Sequence, residues 1–354
     1  MGVLKQWLPY VLSGISAGGQ YALIAVGYTM VYGILRLINF AHGDIFMVAG
    51  LIMVYLSATM PLYAALPAVV ILTVALGFAV ERCAYKPLRQ APRMSVMISA
   101  IGMSYLLQNL ISRDFKLKYR RSVLGVAWSV LNPLLTCLVM WAVFGALFNQ
   151  RGQGIEDFPL FLIIGQLMFN FFRESTTMAM ESVLKNGPLL RKVYIPKYIF
   201  PLEKCCFALV NFFFSLVALF IVALLTWSHI SIGTVLLAIY PLVMLFIFSL
   251  GIGLILSTLY VFVRDIMHIW EVFCTLLVYG SAIFYDPRQM ESWMQYVINL
   301  NPIYWYITAV RSCVMWGEGL TPNMVLIPFL CAALSLGLGI WVFKKNQDKF
   351  VLYM

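Results

Sequence analysis

The chain alternates long apolar runs with short polar breaks, and most of the runs have the length of bilayer-crossing helices. They cover residues 8–35, 45–59, 64–80, 94–111, 127–148, 159–179, 205–227, 233–262, 267–285 and 323–343. Roughly 20 apolar residues cross the hydrocarbon core as a helix. The pattern therefore predicts an all-α, polytopic membrane protein with about nine to ten hydrophobic segments. The first run is dense in small residues (Gly14, Ser16, Ala17, Gly18, Gly19, Gly27), a face on which helices approach closely in lipid. The run 94–111 is uncharged but carries Ser95, Ser99, Ser104, Gln108 and Asn109, which makes it the weakest early span. The character changes at Arg113. Phe115, Tyr119, Val123 and Val126 form an apolar stripe beside a cationic face of Arg113, Lys116, Lys118, Arg120 and Arg121. Asp114 and Lys118 stand at i, i+4 and are spaced to pair on a helix. Such a helix suits an anionic lipid surface, with a plain juxtamembrane anchor as the alternative. The stretch 286–322 is too polar and Pro-broken for one span and predicts two short helices that enter the outer leaflet and return.

Composition sharpens this reading. Of 354 residues, 62% are hydrophobic and only 11% charged, against about 25% charged in an ordinary soluble domain. So much apolar surface would aggregate in water. The net charge of +10 raises nucleic acid as a partner. The basic residues, however, cluster between apolar runs, as cytoplasmic loops do, so no nucleic-acid partner is expected. With residue 113 taken as cytoplasmic, the basic residues of 113–121, 185–204, Arg264 and 344–349 fall inside, and Arg151, Arg288 and Arg311 fall outside. That asymmetry predicts six spans from there on, with a cytoplasmic C-terminus. The cysteines at 83, 137, 205, 206, 274, 313 and 331 show no CxxC spacing and read as small buried hydrophobes. His42, His229 and His268 are scattered, so no metal site is expected.

No GxxxxGK[ST] phosphate loop occurs, so the chain is expected to bind no cofactor itself and to rely on a partner subunit that uses ATP. Residues 183–196 are the docking candidate. Gly187–Pro188 interrupts a helix there, Leu189, Leu190 and Val193 are apolar anchors beside Tyr194, and Arg191 and Lys192 supply charge. A solvated inner loop is the bland alternative. Arg264–Asp265 closes a long apolar run, where adjacent opposite charges often simply pair at the interface. Phe169, Phe171 and Phe172 with Asn170 and Arg173 give the mixture of rings and polar groups that sugars need, and Tyr260 and Tyr285 add rings. Core packing or an interfacial belt accounts for any one of them. Arg173 lies in an apolar run, where charge tends to be functional. Its guanidinium suits a pyrophosphate-linked headgroup, or it snorkels to the interface. No arrangement of nucleophile and base or of paired carboxylates indicates an enzyme.

Two family resemblances meet near residue 111. "GGQYALIAVGYTMVYGILRLINFAHGDIFMVAG", "ERCAYKPLR" and "ISAIGMSYLLQN" resemble the first third of branched-chain amino acid ABC importer permeases. "RDFKLKYRRSVLGVAWSVLNPLL", "LLRKVYIPKYIFPL", "LGIGLILSTLYVFVRDIMHI", "FYDP", "LNPIYWYITAVR" and "FKKNQDKFVLYM" resemble a complete ABC-2 type permease, nearest the branch exporting O-antigen and teichoic acid. The resemblances imply a truncated importer-like segment over 1–111 and a six-span ABC-2 permease over 112–354. The second implies ATPase coupling at Leu189, Leu190, Arg191, Lys192, Val193, Tyr194, Arg264 and Asp265. It implies an interfacial gate helix at Arg113, Phe115, Lys116, Tyr119, Arg120 and Arg121, and a substrate path along Phe169, Phe171, Phe172, Arg173, Tyr260 and Tyr285. It further implies a permease homodimer in the inner membrane, a separate ABC ATPase and a glycan or lipid-linked glycan substrate. The alternatives are an importer permease fragment and a misjoined, non-functional product. The basic clusters at 82–93 and 113–121 both demand the inner side, which a full crossing by 94–111 forbids. That run is then a re-entrant or interfacial hairpin, or another early run fails to cross.

Overall fold

The structure is a computed structural model and describes residues 2–35, 49–50, 52–53, 66–67, 69–74, 93–119, 122, 124–147, 157–190, 195–226, 232–287 and 290–353. It divides into two units, Met1–Tyr105 and Leu106–Met354. The first contains α1 (Gly2–Leu35). Among the described residues nothing occupies the small-residue face of α1: a Cβ added at Gly14, Gly18 or Gly19 meets open space. The predicted runs 45–59 and 64–80, and the basic stretch 82–93, lie largely outside the described residues.

The helix α2 (Arg93–Lys118) is continuous, and the division between the units falls within it. This removes the hairpin alternative for 94–111 and corrects the expectation of a separate amphipathic helix from 113. The serines, Gln108 and Asn109 interrupt the hydropathy, but none breaks the backbone hydrogen bonding, so one helix runs through both segments.

In the second unit α2 is followed by a 3₁₀ turn (Gly125–Ala127), α3 (Trp128–Leu147), α4 (Phe158–Lys185), the short α5 (Gly187–Leu190) and α6 (Ile199–Leu225). Then come α7 (Ile232–Leu237), α8 (Ile239–Phe262), α9 (Ile266–Gly280), α10 (Ser292–Asn299), α11 (Pro302–Arg311) and α12 (Pro322–Asn346). A 3₁₀ turn (Gln347–Lys349) and α13 (Phe350–Tyr353) complete the described chain. Four stretches among the described residues are helical, long and apolar enough to cross a membrane: Gly125–Val143, Ile199–Leu225, Thr234–Phe262 and Pro322–Lys349. The helix α4 is 28 residues long, but Arg173, Glu174, Glu181 and Lys185 interrupt the apolar character of its second half.

The core centres on α4. Leu160, Phe161, Leu162, Ile163, Ile164, Leu167 and Met168 are all buried, because α4 packs against α3, α6, α8 and α11 together. The most extensive pairing joins α8 and α12. There a Cβ on Gly251 would sit 2.4 Å from the Ser335 carbonyl carbon, and one on Gly339 would sit 2.5 Å from the Gly251 oxygen. Only glycine permits that backbone approach.

The stretch 286–322 holds two short helices, α10 and α11, and then a π-helical turn (Ser312–Trp316). Asn301 caps α11, accepting from the Ile303 amide, with Pro302 at the first helical position. Its side-chain amide also donates to the Gly280 carbonyl at 3.0 Å, which ties α11 to the end of α9. The helix α9 stops short of the predicted 267–285 because the chain turns at Ser281 and Ala282 takes a positive φ of 52°.

Candidate functional site

The last turns of α2, with α3, α4 and α6, enclose a polar groove in the second unit. Two connected features line it, a cavity of about 560 Å³ and one of about 420 Å³, and Lys118, Glu174 and Met178 belong to both. The expected Asp114–Lys118 pair does not form, and each partner pairs mainly with another helix. Asp114 bonds Lys204 of α6 and pairs with Arg113 at 3.0 Å, while Lys118 reaches Glu174 of α4 at 2.8 Å. Glu174 also accepts from the Asn211 amide at 3.1 Å. The Asp114–Lys204 pair gains more than an i, i+4 pair because its side chains are only 12% and 10% exposed, whereas an i, i+4 pair must order two free side chains. Tyr119 bonds Ser129, and Phe115 stacks edgewise on Tyr119 and Phe207 at 5.1 and 6.5 Å. Of the stripe read as membrane-facing, Phe115 and Tyr119 thus lie half-buried against α6 and α3. Lys116 is exposed, and Arg120 and Arg121 lie outside the described residues.

Arg173 is exposed at the groove and has no ion-pair partner among the described residues, while its neighbour Glu174 is occupied by Lys118. Trp128, Asn132, Asn170, Phe171 and Thr177 line the same cavity. One free guanidinium among amides, hydroxyls and rings is suited to an amphiphile with a phosphate and a sugar face.

The predicted path residues do not form one wall. Phe171 and Arg173 line the groove. Phe169 and Phe172 are core residues, Phe172 lying 5.7 Å from the Phe248 ring and 6.0 Å from Trp270. Tyr260 is half-buried beneath Arg264, whose guanidinium carbon lies 5.9 Å from its ring. Tyr285 donates to the Tyr279 carbonyl at 2.5 Å, and burial pushes its phenol pKa up.

Of the predicted coupling residues, α4 ends at Lys185, Asn186 donates back to the Ser182 carbonyl at 2.8 Å, and α5 carries Leu189 and Leu190, both half-buried. Leu190 packs on its own chain's apolar cluster and is to that extent not free for a partner. Arg191, Lys192, Val193 and Tyr194 lie outside the described residues. Arg264 and Asp265 are both exposed, and no ion pair joins them among the described residues.

Two buried charged sites escaped the sequence reading. Arg311, assigned to the outer side by the charge tally, is 1% exposed. It donates to the carbonyls of Ala282 (2.8 Å), Phe161 (3.0 Å) and Ile283 (3.1 Å), with its guanidinium carbon 3.3 Å from the Phe161 ring centroid. Lys204, read as an ordinary inner-loop charge, is buried between Asp114 and the fully buried Glu203. The signal was periodicity: Ile303, Ile307 and Arg311, and likewise Phe200, Lys204 and Ala208, recur at four-residue spacing on buried stripes. Among the described residues no three His, Cys, Asp or Glu side chains are grouped to hold a metal.

Among the described residues, long apolar helices around a charged groove give a polytopic helical membrane protein. The chain belongs to the ABC-2 type transporter family, whose model matches residues 105–315. It is 27% identical over 259 residues to the O-antigen export system permease protein RfbA of Klebsiella pneumoniae, covering 70% of this chain and 96% of that protein. It is also 38% identical over 178 residues to the high-affinity branched-chain amino acid transport system permease protein BraD of Pseudomonas aeruginosa, covering 43% of this chain. To LivH of Escherichia coli K12, the corresponding permease, it is 42% identical over 116 residues, 30% of this chain. The match spans only 58% of BraD and 38% of LivH. The chain is thus an ABC transporter permease, and its homologues are the membrane components of such transporters.

Proposed function

We propose that this chain is the transmembrane subunit of an ATP-driven exporter that moves a lipid-linked or long cell-surface polysaccharide outward across the inner membrane. The observation that carries the reading is coverage: likeness to an O-antigen export permease extends over 96% of that protein. The groove supports it, since Arg173 stands free beside Asn170, Phe171 and Trp128, a set that fits a phosphate and a sugar face. Two copies enclose the path, a separate ABC ATPase supplies the energy, and the C-terminus is cytoplasmic. The segment 1–111 is an added membrane anchor.

The test is to replace Arg191 and Lys192 together by Glu and to ask whether the ATPase subunit still co-purifies. Loss of co-purification is expected, and unchanged recovery overturns the docking assignment. Arg173→Ala is expected to cut export of a polyprenyl-pyrophosphate-linked glycan at least about tenfold while the complex still assembles, the loss of one bidentate phosphate contact. Undiminished export removes the groove from the path. A second reading, import of branched-chain amino acids, is favoured by the BraD and LivH likenesses. Uptake of labelled leucine by cells carrying this chain decides for it, and absence of uptake decides against.

A further inference from the structure

Apart from the main core, the second unit contains a small apolar cluster of Val183, Leu254, Val261, Phe343 and Phe350, against which Leu190 and Phe262 pack. Phe350 is 0% exposed although it follows the polar stretch "KKNQDK". Burying an aromatic ring at that point takes its apolar surface out of water, so the fold holds the segment there and does not merely trail it. The Phe350 ring lies 5.2 Å from Phe343 and 6.0 Å from Phe262, and Tyr353 lies 4.9 Å from Phe262. Lys197, in the stretch between α5 and α6, donates to the Gln347 carbonyl at 2.5 Å and stands 5.8 Å from the Phe350 ring.

Through Phe350 the segment Gln347–Tyr353 thus shares one apolar cluster with Val183 at the end of α4 and with Leu190 of α5, while it bonds Lys197 on the approach to α6 and stacks on Phe262 at the end of α8. Two of these places, α5 and the turn that follows Phe262 with Arg264 and Asp265, are the segments read above as facing the ATPase. We propose that Gln347–Tyr353 is a positioning strut that holds α5 and the α8–α9 turn at one spacing, so that both ATPase-facing segments move as one body. The ATPase part of this statement rests on the docking assignment under Proposed function; the fixed spacing does not.

The experiment uses the full chain in lipid nanodiscs, with its native cysteines replaced and spin labels on Pro188→Cys and Asp265→Cys, both exposed positions. Pulsed electron resonance reads the distance distribution between them. The parent is expected to give one narrow distance. Phe350→Ala and Tyr353→Ala are expected to broaden it or shift it longer, Lys197→Ala to broaden it less, and Phe350→Met to keep it narrow. A broad distribution in the parent, or an unchanged one in both ring-to-alanine variants, overturns the strut. Should Phe350→Ala fail to give monodisperse protein, Tyr353→Ala decides, because that side chain is 54% exposed and its loss leaves the core intact. Co-purification of the ATPase with the Arg191→Glu, Lys192→Glu variant reports the docking assignment separately, whatever the distances show.

Discussion

A guanidinium keeps its charge under ordinary conditions, so burying Arg311 demands partners, and the structure supplies three backbone carbonyls and a ring face. Gly165 makes room, since a Cβ there would lie 2.6 Å from the guanidinium. Arg311→Met removes the hydrogen bonds these three carbonyls accept from the guanidinium, and each hydrogen bond to a charged group contributes about 1.5–3 kcal/mol. The melting temperature in detergent is expected to fall by several degrees, with Arg311→Lys rescuing only part, because an ammonium lacks the planar fork. An unchanged melting temperature would show the contacts to be idle. Lys118–Glu174 is a milder case, since both side chains are about one-third exposed and the pair contributes about 0.2–1 kcal/mol. Lys118→Glu should loosen α2 from α4, and adding Glu174→Lys should restore it. A double-mutant cycle with no coupling energy would rule the tether out.

The helices divide into those whose neighbours are fixed and those whose faces are open. The α8–α12 crossing depends on Gly251 and Gly339 meeting with backbone in contact. Gly339→Val must push the helices apart, at about 1–3 kcal/mol or more for overpacking. It should lower the yield of monodisperse protein, while Gly14→Ala or Gly18→Ala, with open space around them, should leave it unchanged. Equal effects in both sets would contradict this assignment of neighbours. The helix α2 shows how an element can differ from the hydropathy profile. Polar side chains divide an apolar run on paper, but a backbone helix ends only where its hydrogen bonding is interrupted, and nothing in 93–118 does that.

At the scale of the molecule, labelling tests the sidedness of the front segment. Single cysteines at Gln90 and Lys116 in a cysteine-free background are expected to react only from the cytoplasmic side, which for the continuous helix α2 requires that it lie along the membrane surface rather than cross it. Reaction of Lys116 from outside would invert the permease and favour the misjoined-chain alternative. Much was legible in the chain itself. The membrane class follows from 62% hydrophobic and 11% charged residues, which no water-soluble fold accommodates. The two short helices of 286–322 follow from its prolines and polarity, and the family resemblance from runs such as "LNPIYWYITAVR". These features are local, set by residues within one or two helical turns of each other. The tertiary structure alone decided which charges meet: Asp114 with Lys204, Lys118 with Glu174, and Arg311 with carbonyls from residues 161, 282 and 283. It also decided that Phe169 and Phe172 are core while Phe171 and Arg173 line the groove. Those partners lie tens of residues or more apart, and hydropathy says that a side chain is buried without saying against what. Only the packing of α2, α3, α4 and α6, and of α11 with α4 and the turn after α9, brings the groups together.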